Sequence, residues 1–565
     1  MIGVISKADQ KDAVEEFFEL FKTPWEFYKP GRAYEVVLAT TEDVSEVDAR
    51  LLLLYGAEPR NVDKLSGIVI RSKHLGGTLS YGSVAVPIYG ELATFEKNKE
   101  CEPYIQTSLG IVSLRATTVN GTTTIRFGFD LIQEIKFLLT TGQPADWAQV
   151  PTLDLHIQML KNSILAEGIP ILEIPPLPSG YNFTACLTHD IDFIGIRQHL
   201  LDHTMFGFLY RSTVGAIRNV FRGRLSLRRF FDVLRSAVSL PFVYLGWAKD
   251  FWSPFAWYLR VEKNLPATYY LIPFKRTIGD HVPGPHASRR ATAYDVSDLQ
   301  DWMPILQKEG CELGVHGIDS WHSVEKGRAE LSRLATVTGE SRVGIRMHWL
   351  MQNRDTTSVL ERTGYEYDST AGYNETIGYR NGTSQVFRPL GARTLLELPM
   401  HVQDGTLFYL NRLDLSESQA HKRCMDLIAN NQKFGGIFTV IWHDRSHGPE
   451  RFWGDFYVGL VQALKSSGGW FATGAQAVRW FRKRRQVRFE RLERGEGVRV
   501  SPHCDGGLGL PSLRLRVYRP LDSTSRAEPS REAAFSFADI PWNAKERVEY
   551  DAMLNHPPNY QSSFS

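Results

Sequence analysis

From Asn182 onward the chain alternates short apolar runs with helical stretches, and that alternation limits its architecture more than any other feature. The apolar runs are Asn182–Leu187, Ala267–Ile272, Glu312–Val315, Val343–Met347, Leu395–Leu398 and Gly436–Ile441. Helical patterning separates most of them, as in Val296–Glu309 and Gly327–Thr336. Strands alternating with helices form βα units with mainly parallel pairing. An α/β fold follows, as a barrel or a doubly wound sheet. In both, sites assemble at the carboxyl ends of the strands.

Residues 1–178 read as a separate α/β unit. Ala13–Phe21 predicts an amphipathic helix, Tyr34–Ala39 a strand, Thr78–Gly90 strand-like stretches broken by glycines, and Phe129–Thr140 and Leu153–Glu167 two further helices. Pro170, Pro175, Pro176 and Pro178 mark the boundary. Residues 179–485 form the unit that carries the chemistry. Within it, 200–260 is a helical insertion, first basic (Arg211, Arg218, Arg222, Arg224, Arg228, Arg229, Arg235) and then aromatic (Phe242, Tyr244, Trp247, Phe251, Trp252, Phe255, Trp257, Tyr258). A solvated helix pair packed over the barrel, a lid over an anionic glycan and a membrane-surface patch all fit that pattern. After Arg482–Arg485, 486–565 predicts a small β extension (Val498–Ser501, Leu513–Tyr518) and an irregular tail from about 521, with Phe535, Phe537 and Trp542 as anchor points.

Composition narrows the function classes. Lys+Arg 65 against Asp+Glu 63 leaves a formal charge of +2, so no overall field attracts nucleic acid or an anionic membrane. Five cysteines (Cys101, Cys186, Cys311, Cys424, Cys504) form no CxxC, which argues against a disulfide framework or a structural zinc finger. The amino terminus lacks the basic and apolar pattern of a secretory signal. The longest apolar run, Ser236–Ala248, is shorter than the ~20 residues a membrane span needs. A cytoplasmic location, with peripheral contact at the inner membrane face through 200–260, is the expectation.

Four strand ends carry reactive side chains. Asp190-Ile191-Asp192 places two carboxylates two residues apart, one able to ligate a metal while the other stays free as a base. Glu312–Val315 delivers His316, with Asp319, Ser320, Trp321 and His322 following. An Asp with two His suits zinc or a similar ion and leaves positions open for water. Gly344–Met347 delivers Arg346, able to hold a carboxylate ionised, followed by His348 and Trp349. Gly436–Ile441 runs into Trp442-His443-Asp444-Arg445, where His443 is a general-acid candidate.

Taken in order, Asp-x-Asp, His, Arg-x-x-Trp and a late Trp-His resemble the polysaccharide deacetylase family, carbohydrate esterase family 4, in its HDxD-type branch. Gly364–Thr370, Gly378–Thr383 with Arg380, and Leu396–Pro399 are also similar to family segments. The resemblance implies an irregular (β/α)7-type barrel over roughly half the chain. It implies Asp190 as catalytic base, Asp192 and His316 as metal ligands, Arg346 as the residue fixing the base, and His443 as the acid. It further implies a divalent ion, most often zinc, and a hydrolase that removes N-acetyl groups from an amino sugar. Trp349, Trp321, Arg380 and Trp442 are its substrate-contact candidates.

The sequence departs from the family pattern after His316. The second metal His commonly lies four residues on, where Ser320 stands here, and His322 comes at six. Either His322 binds after a longer turn, or Asp319 or a water takes its place. His348 stands where proline is common, and Asp368 and Asp404 are supporting carboxylates without assigned partners. Two rival readings remain: a glycosidase with paired carboxylates, and a non-catalytic glycan-binding relative. The expected partner is a surface glycan or its lipid-linked precursor, with no nucleic acid.

Overall fold

The structure, a computed structural model, describes residues 1–565 apart from 42–43, 45–46, 98, 100, 118–120, 224, 493–497, 502–508, 521–534, 543–547 and 550–565. Arg224, Cys504 and the first part of the tail therefore lie outside the described residues. Among the described residues Cys101, Cys186, Cys311 and Cys424 form no disulfide.

A parallel sheet organises the middle of the chain. Its neighbours run, in order, Leu396–Glu397, Tyr367–Asp368, Ile345–Met347, Glu312–Gly317, Ala267–Leu271, Phe183–Ile191, Ile437–Ile441 and Val402–Gln403. Gly469–Phe471 also pairs with Phe183–Ile191. The sheet curls into a half-barrel. Its two edge strands are joined by the short stretch 398–401, so the covalent chain bridges the seam where no ladder is formed. Phe183–Ile191 is buried along its whole length, as expected of a parallel strand covered on both faces. Helices Val324–Thr338, Thr356–Thr363, Glu417–Phe434 and Trp453–Ser466 connect the strands, and the main apolar core gathers Leu187, Leu271, Val315, Ile345 and Val440 with helix residues such as Leu334 and Leu464.

The expected helix Val296–Glu309 is broken into a short 3-10 turn, Val296–Leu299, and a helix, Met303–Lys308. Pro304 sits in the helix's first turn, where its missing N–H costs nothing and it cannot continue a preceding helix.

Residues 2–127 build a nine-stranded mixed sheet. Trp25–Phe27, Ile2–Ile5, Tyr34–Ala39, Ala49–Tyr55 and Thr123–Phe127 pair in parallel, and Gly110–Thr117, Val84–Phe95 and Ile70–Tyr81 continue it antiparallel. Helices Lys11–Phe21, Leu131–Thr140 and Thr152–Ala166 contribute to the core on this sheet. The glycine-broken region resolves as a hairpin turning at Gly82, whose φ of 58° favours glycine.

The tail is partly regular, which corrects the expectation of an irregular segment from 521. Leu513–Pro520 pairs antiparallel with both Ile171–Glu173 and Phe535–Trp542. The open edge of Leu513–Pro520 supplies a full ladder for the returning strand. Trp542 is buried in that sheet, whereas Phe537 stays exposed beneath the Arg516 guanidinium, 4.1 Å from its ring centre. Contacts also cross residue 485. Arg484 is buried and donates to the carbonyls of Glu19, Leu20 and Ile174, and Arg485 pairs with Glu16. The basic run Arg482–Arg485 thus ties the barrel to the amino-terminal unit.

Candidate active site

Period-2 geometry puts residues i and i+2 of a strand on one face. Asp190 closes one strand with Asp192 just past its end, and Arg346 lies on another with His348 just past its end. His316 pairs in register with Arg346 on the neighbouring strand. These five side chains converge at the carboxyl end of the sheet.

Asp190 is almost wholly buried, and Arg346 Nη1 donates to its Oδ1 at 2.8 Å. The guanidinium also donates to Thr188 Oγ1 at 2.8 Å, to the Ser369 carbonyl at 3.0 Å and to Ser369 Oγ at 2.9 Å, and it lies 4.3 Å from the Tyr270 ring centre. Burial would raise the Asp190 pKa, but the charge of Arg346, with His316 and His443, brings it below the ordinary carboxylate value. Asp190 is therefore held ionised in one orientation.

Asp192, His316 and His348 face a common point. Asp192 Oδ1 lies 3.5 Å from His316 Nε2 and 3.3 Å from His348 Nδ1, and the two imidazole nitrogens are 2.9 Å apart. The far nitrogens are pinned to carbonyls, His316 Nδ1 to Arg346 O at 3.0 Å and His348 Nε2 to Arg290 O at 3.2 Å. A carbonyl only accepts, so each ring donates from the nitrogen on that side and turns its other nitrogen inward. Burial lowers the His348 pKa to about 3, which keeps that ring neutral. Asp192 Oδ1 is buried and accepts no hydrogen bond. Two imidazole nitrogens and a bare carboxylate oxygen directed at each other suit a cation between them, and one Asp with two His is a donor set for zinc and related divalent ions. The residues present fit such an ion.

His322, the other expected ligand, does not join this trio. His322 lies in another cluster, 3.3 Å from Asp319 Oδ1. The turn after His316 is fastened to the helix Val324–Thr338, where Glu330 accepts from the N–H groups of Ile318 and Asp319 and from the Ser320 hydroxyl. That fastening directs His322 away from Asp192. Asp280, Asp319 and His322 also converge, but there the Lys326 ammonium already pairs with both carboxylates, at 2.5 and 2.9 Å. The place read for His322 is taken by His348. Its i+2 spacing from Arg346, like that of Asp192 from Asp190, was the available signal.

His443 follows the strand Ile437–Ile441. Asp404 accepts from its Nδ1 at 2.6 Å and from its backbone N–H at 2.8 Å, and also from Ser446 Oγ. Burial lowers the His443 pKa, but the Asp404 carboxylate, with Asp192 and Asp190, outweighs it and raises the value to about 10. His443 is thus protonated at neutral pH. Asp444, beside it, accepts the Asp192 N–H at 3.1 Å, and burial pushes its pKa up to about 7. Asp368 accepts from Thr370 Oγ1 at 2.5 Å, and Thr370 Oγ1 in turn receives the Met347 N–H, so this carboxylate steadies the strand bearing Arg346. Asp192 and His443 each retain 21% side-chain exposure while Asp190, His316 and Arg346 are sealed, so the site opens to solvent between them.

The proposed substrate contacts divide. Trp349 is 39% exposed at the rim beside His348, in a turn where Trp349 and Leu350 both have positive φ, 63° and 53°. Trp442 is fully buried, its ring stacked 5.9 Å from Phe456, and Trp321 is a core residue. Arg380 donates to the carbonyls of Thr141 and Gln143 and lies over Tyr373, which joins the barrel to the amino-terminal unit. Protein thus covers Trp442 and Trp321, while Arg380, half-buried, is engaged at the junction with the amino-terminal unit.

No family model matches the chain, and no curated protein matches it. Solved structures do. A putative polysaccharide deacetylase from Mycobacterium smegmatis is 16% identical, with 55% of this chain and 94% of that one covered and a TM-score of 0.32. A probable polysaccharide deacetylase from Pseudomonas aeruginosa PAO1 is 14% identical, with 55% and 95% covered and a TM-score of 0.33. Puue allantoinase is 14% identical, with 54% and 92% covered and a TM-score of 0.30. The structural neighbours thus include polysaccharide deacetylases. Likeness at this level says nothing of the reaction, which has to be read from the side chains.

Proposed function

We propose that the chain is a metal-dependent hydrolase that removes N-acetyl groups from an amino sugar in a polysaccharide or its lipid-linked precursor. The observation carrying this reading is the inward-facing trio Asp192, His316 and His348, flanked by an ionised Asp190 and a protonated His443. Asp192, His316 and His348 would hold the ion, with zinc the best match to the donors. A divalent ion in such a site supplies Lewis acidity and a water of near-neutral pKa. Asp190 accepts the proton as water attacks the acetyl carbonyl, and Arg346 keeps it charged and aimed. An amine leaves poorly unless protonated, and His443, held by Asp404, supplies that proton. The products are acetate and a free amine. Trp349 offers an exposed aromatic face for a sugar ring.

The paired-carboxylate glycosidase reading gains nothing from this geometry, since Asp190 is spoken for by Arg346 and Asp192 by the two imidazoles. Acetate release from N-acetylated oligosaccharides, measured before and after chelation and after zinc is restored, tests the proposal. Release that vanishes on chelation and returns with zinc supports it. Chain cleavage without acetate refutes it.

A further inference from the structure

Large exposed hydrophobic side chains are ordinary when scattered. Here they are concentrated: among the described residues, more than half of those exposed on the whole chain lie between Leu200 and Trp247. They form two ordered stripes. On the continuous helical stretch from His203 to Phe221, Phe206, Tyr210, Val214, Ile217 and Phe221 recur at steps of four, four, three and four, all about half exposed or more. On the helix Leu227–Tyr244, Leu227, Phe231, Val238 and Phe242 recur at helical spacing, with Leu245 and Trp247 just beyond. Each helix also has a buried side, with Met205 and Phe208 on one and Val233, Leu240 and Val243 on the other. The outward stripes are therefore a second apolar face, left after the hairpin has packed on the protein.

The charge pattern says what that face meets. From His203 to Lys249 the sequence has eight Lys and Arg residues against one acidic residue, Asp232. Four exposed arginines directly follow apolar residues: Ile217-Arg218, Phe221-Arg222, Leu227-Arg228 and Leu234-Arg235. One residue is a rotation of about 100° on a helix, so these guanidinium groups border the stripes. A stripe of Phe, Leu and Trp edged by arginine is the pattern of a helix lying in a lipid headgroup layer, with cations reaching phosphates as the apolar face enters the acyl boundary. No helix among the described residues is long and apolar enough to cross a membrane, which leaves the in-plane arrangement.

We propose that the hairpin 203–247 is a docking surface for an anionic bilayer. The hairpin is anchored near the site: Arg211 pairs with Glu450, and in the segment that follows the hairpin Trp252 Nε1 donates to Glu450 and Tyr258 donates to the His443 carbonyl at 2.8 Å. A membrane-bound molecule would have its opening near the headgroups. The docking proposal concerns the surface alone and is independent of the reaction assigned to the site.

The test is co-sedimentation of the full chain with vesicles of phosphatidylcholine alone and of phosphatidylcholine with about 30 mol% phosphatidylglycerol, at low and high salt. The expected result is binding to the anionic vesicles that salt weakens. Each single variant Arg218→Gln, Arg222→Gln, Arg228→Gln or Arg235→Gln should weaken it roughly fivefold, from a contribution of about one kcal/mol per cation. The triple variant Phe221→Ser/Leu227→Ser/Phe231→Ser should abolish binding while circular dichroism and metal binding stay unchanged. Equal recovery with both vesicle types, or no binding to either, overturns the proposal. So does a stable dimer of the chain in solution that the triple variant dissolves, which would make the stripes an interface between two copies.

Discussion

Replacing His348 with alanine separates this site from the one that spacing alone suggests. The variant removes one of three inward donors and leaves Asp192 Oδ1 facing His316 alone, at 3.5 Å. Loss even of a residue that merely orients a metal ligand costs about 10–100-fold in affinity, so loss of a direct donor should cost at least about 100-fold. At a metal concentration that saturates the parent chain, a 100-fold loss withdraws up to about 2.7 kcal/mol of stabilisation by mass action. His322→Ala, which breaks a 3.3 Å contact with Asp319 and ring contacts with His281 and Trp321, should leave affinity within about threefold, the ordinary scatter for a change away from the site. Zinc affinity measured by competition with a chromophoric chelator reads both directly. A His348→Ala chain that binds zinc like the parent, or a His322→Ala chain that loses it, refutes the placement of the third ligand.

Three further outcomes follow from the same geometry. Asp190→Asn should retain zinc yet release acetate at least about 100-fold more slowly, the usual reach of a lost general base; a metal titration beside an acetate assay checks it. Arg346→Met leaves a buried carboxylate without its cation and should cost about 3–5 kcal/mol, and adding Asp190→Asn should recover part of that in denaturant midpoints. Asp404→Asn removes the charge that raises His443 to about 10, so its pKa should fall towards an ordinary imidazole value near ~6.5. The protonated acid then persists over a narrower range, and the alkaline limb of the rate profile moves down. The stability contributed by the His443–Asp404 pair in the parent is complete below the unfolded imidazole pKa and lost as pH rises through about 10.

Much of the barrel was legible because parallel strands buried on both faces leave continuous apolar runs, and Phe183–Ile191 is the clearest case. Tyr367–Asp368 and Val402–Gln403 were not, since two residues carry no period. Asp190, Asp192, His316, Arg346 and His443 stand at strand ends in the sequence and in the fold alike. The third ligand was hidden because spacing along the chain says little about a loop fastened elsewhere: Glu330 decides where His322 goes, and nothing near His322 in sequence announces it. Trp442 and Trp321 misled for a related reason. A tryptophan beside a reactive histidine reads as a sugar platform until burial shows that protein already covers it.

The strand Leu513–Pro520 has a consequence for how the chain is made. It pairs with Ile171–Glu173, and Tyr518 meets the buried Lys161, which lies 357 residues earlier. Lys161 also pairs with Glu173 at 2.9 Å. Synthesis proceeds from the amino terminus, and domains generally fold in that order. The amino-terminal sheet can therefore collapse on the ribosome while Ile171–Glu173 still presents a bare strand edge. That edge is covered only when Leu513–Pro520 emerges. Nascent chains stalled before Leu513 should be cut by protease near Ile171, and chains stalled after Trp542 should resist.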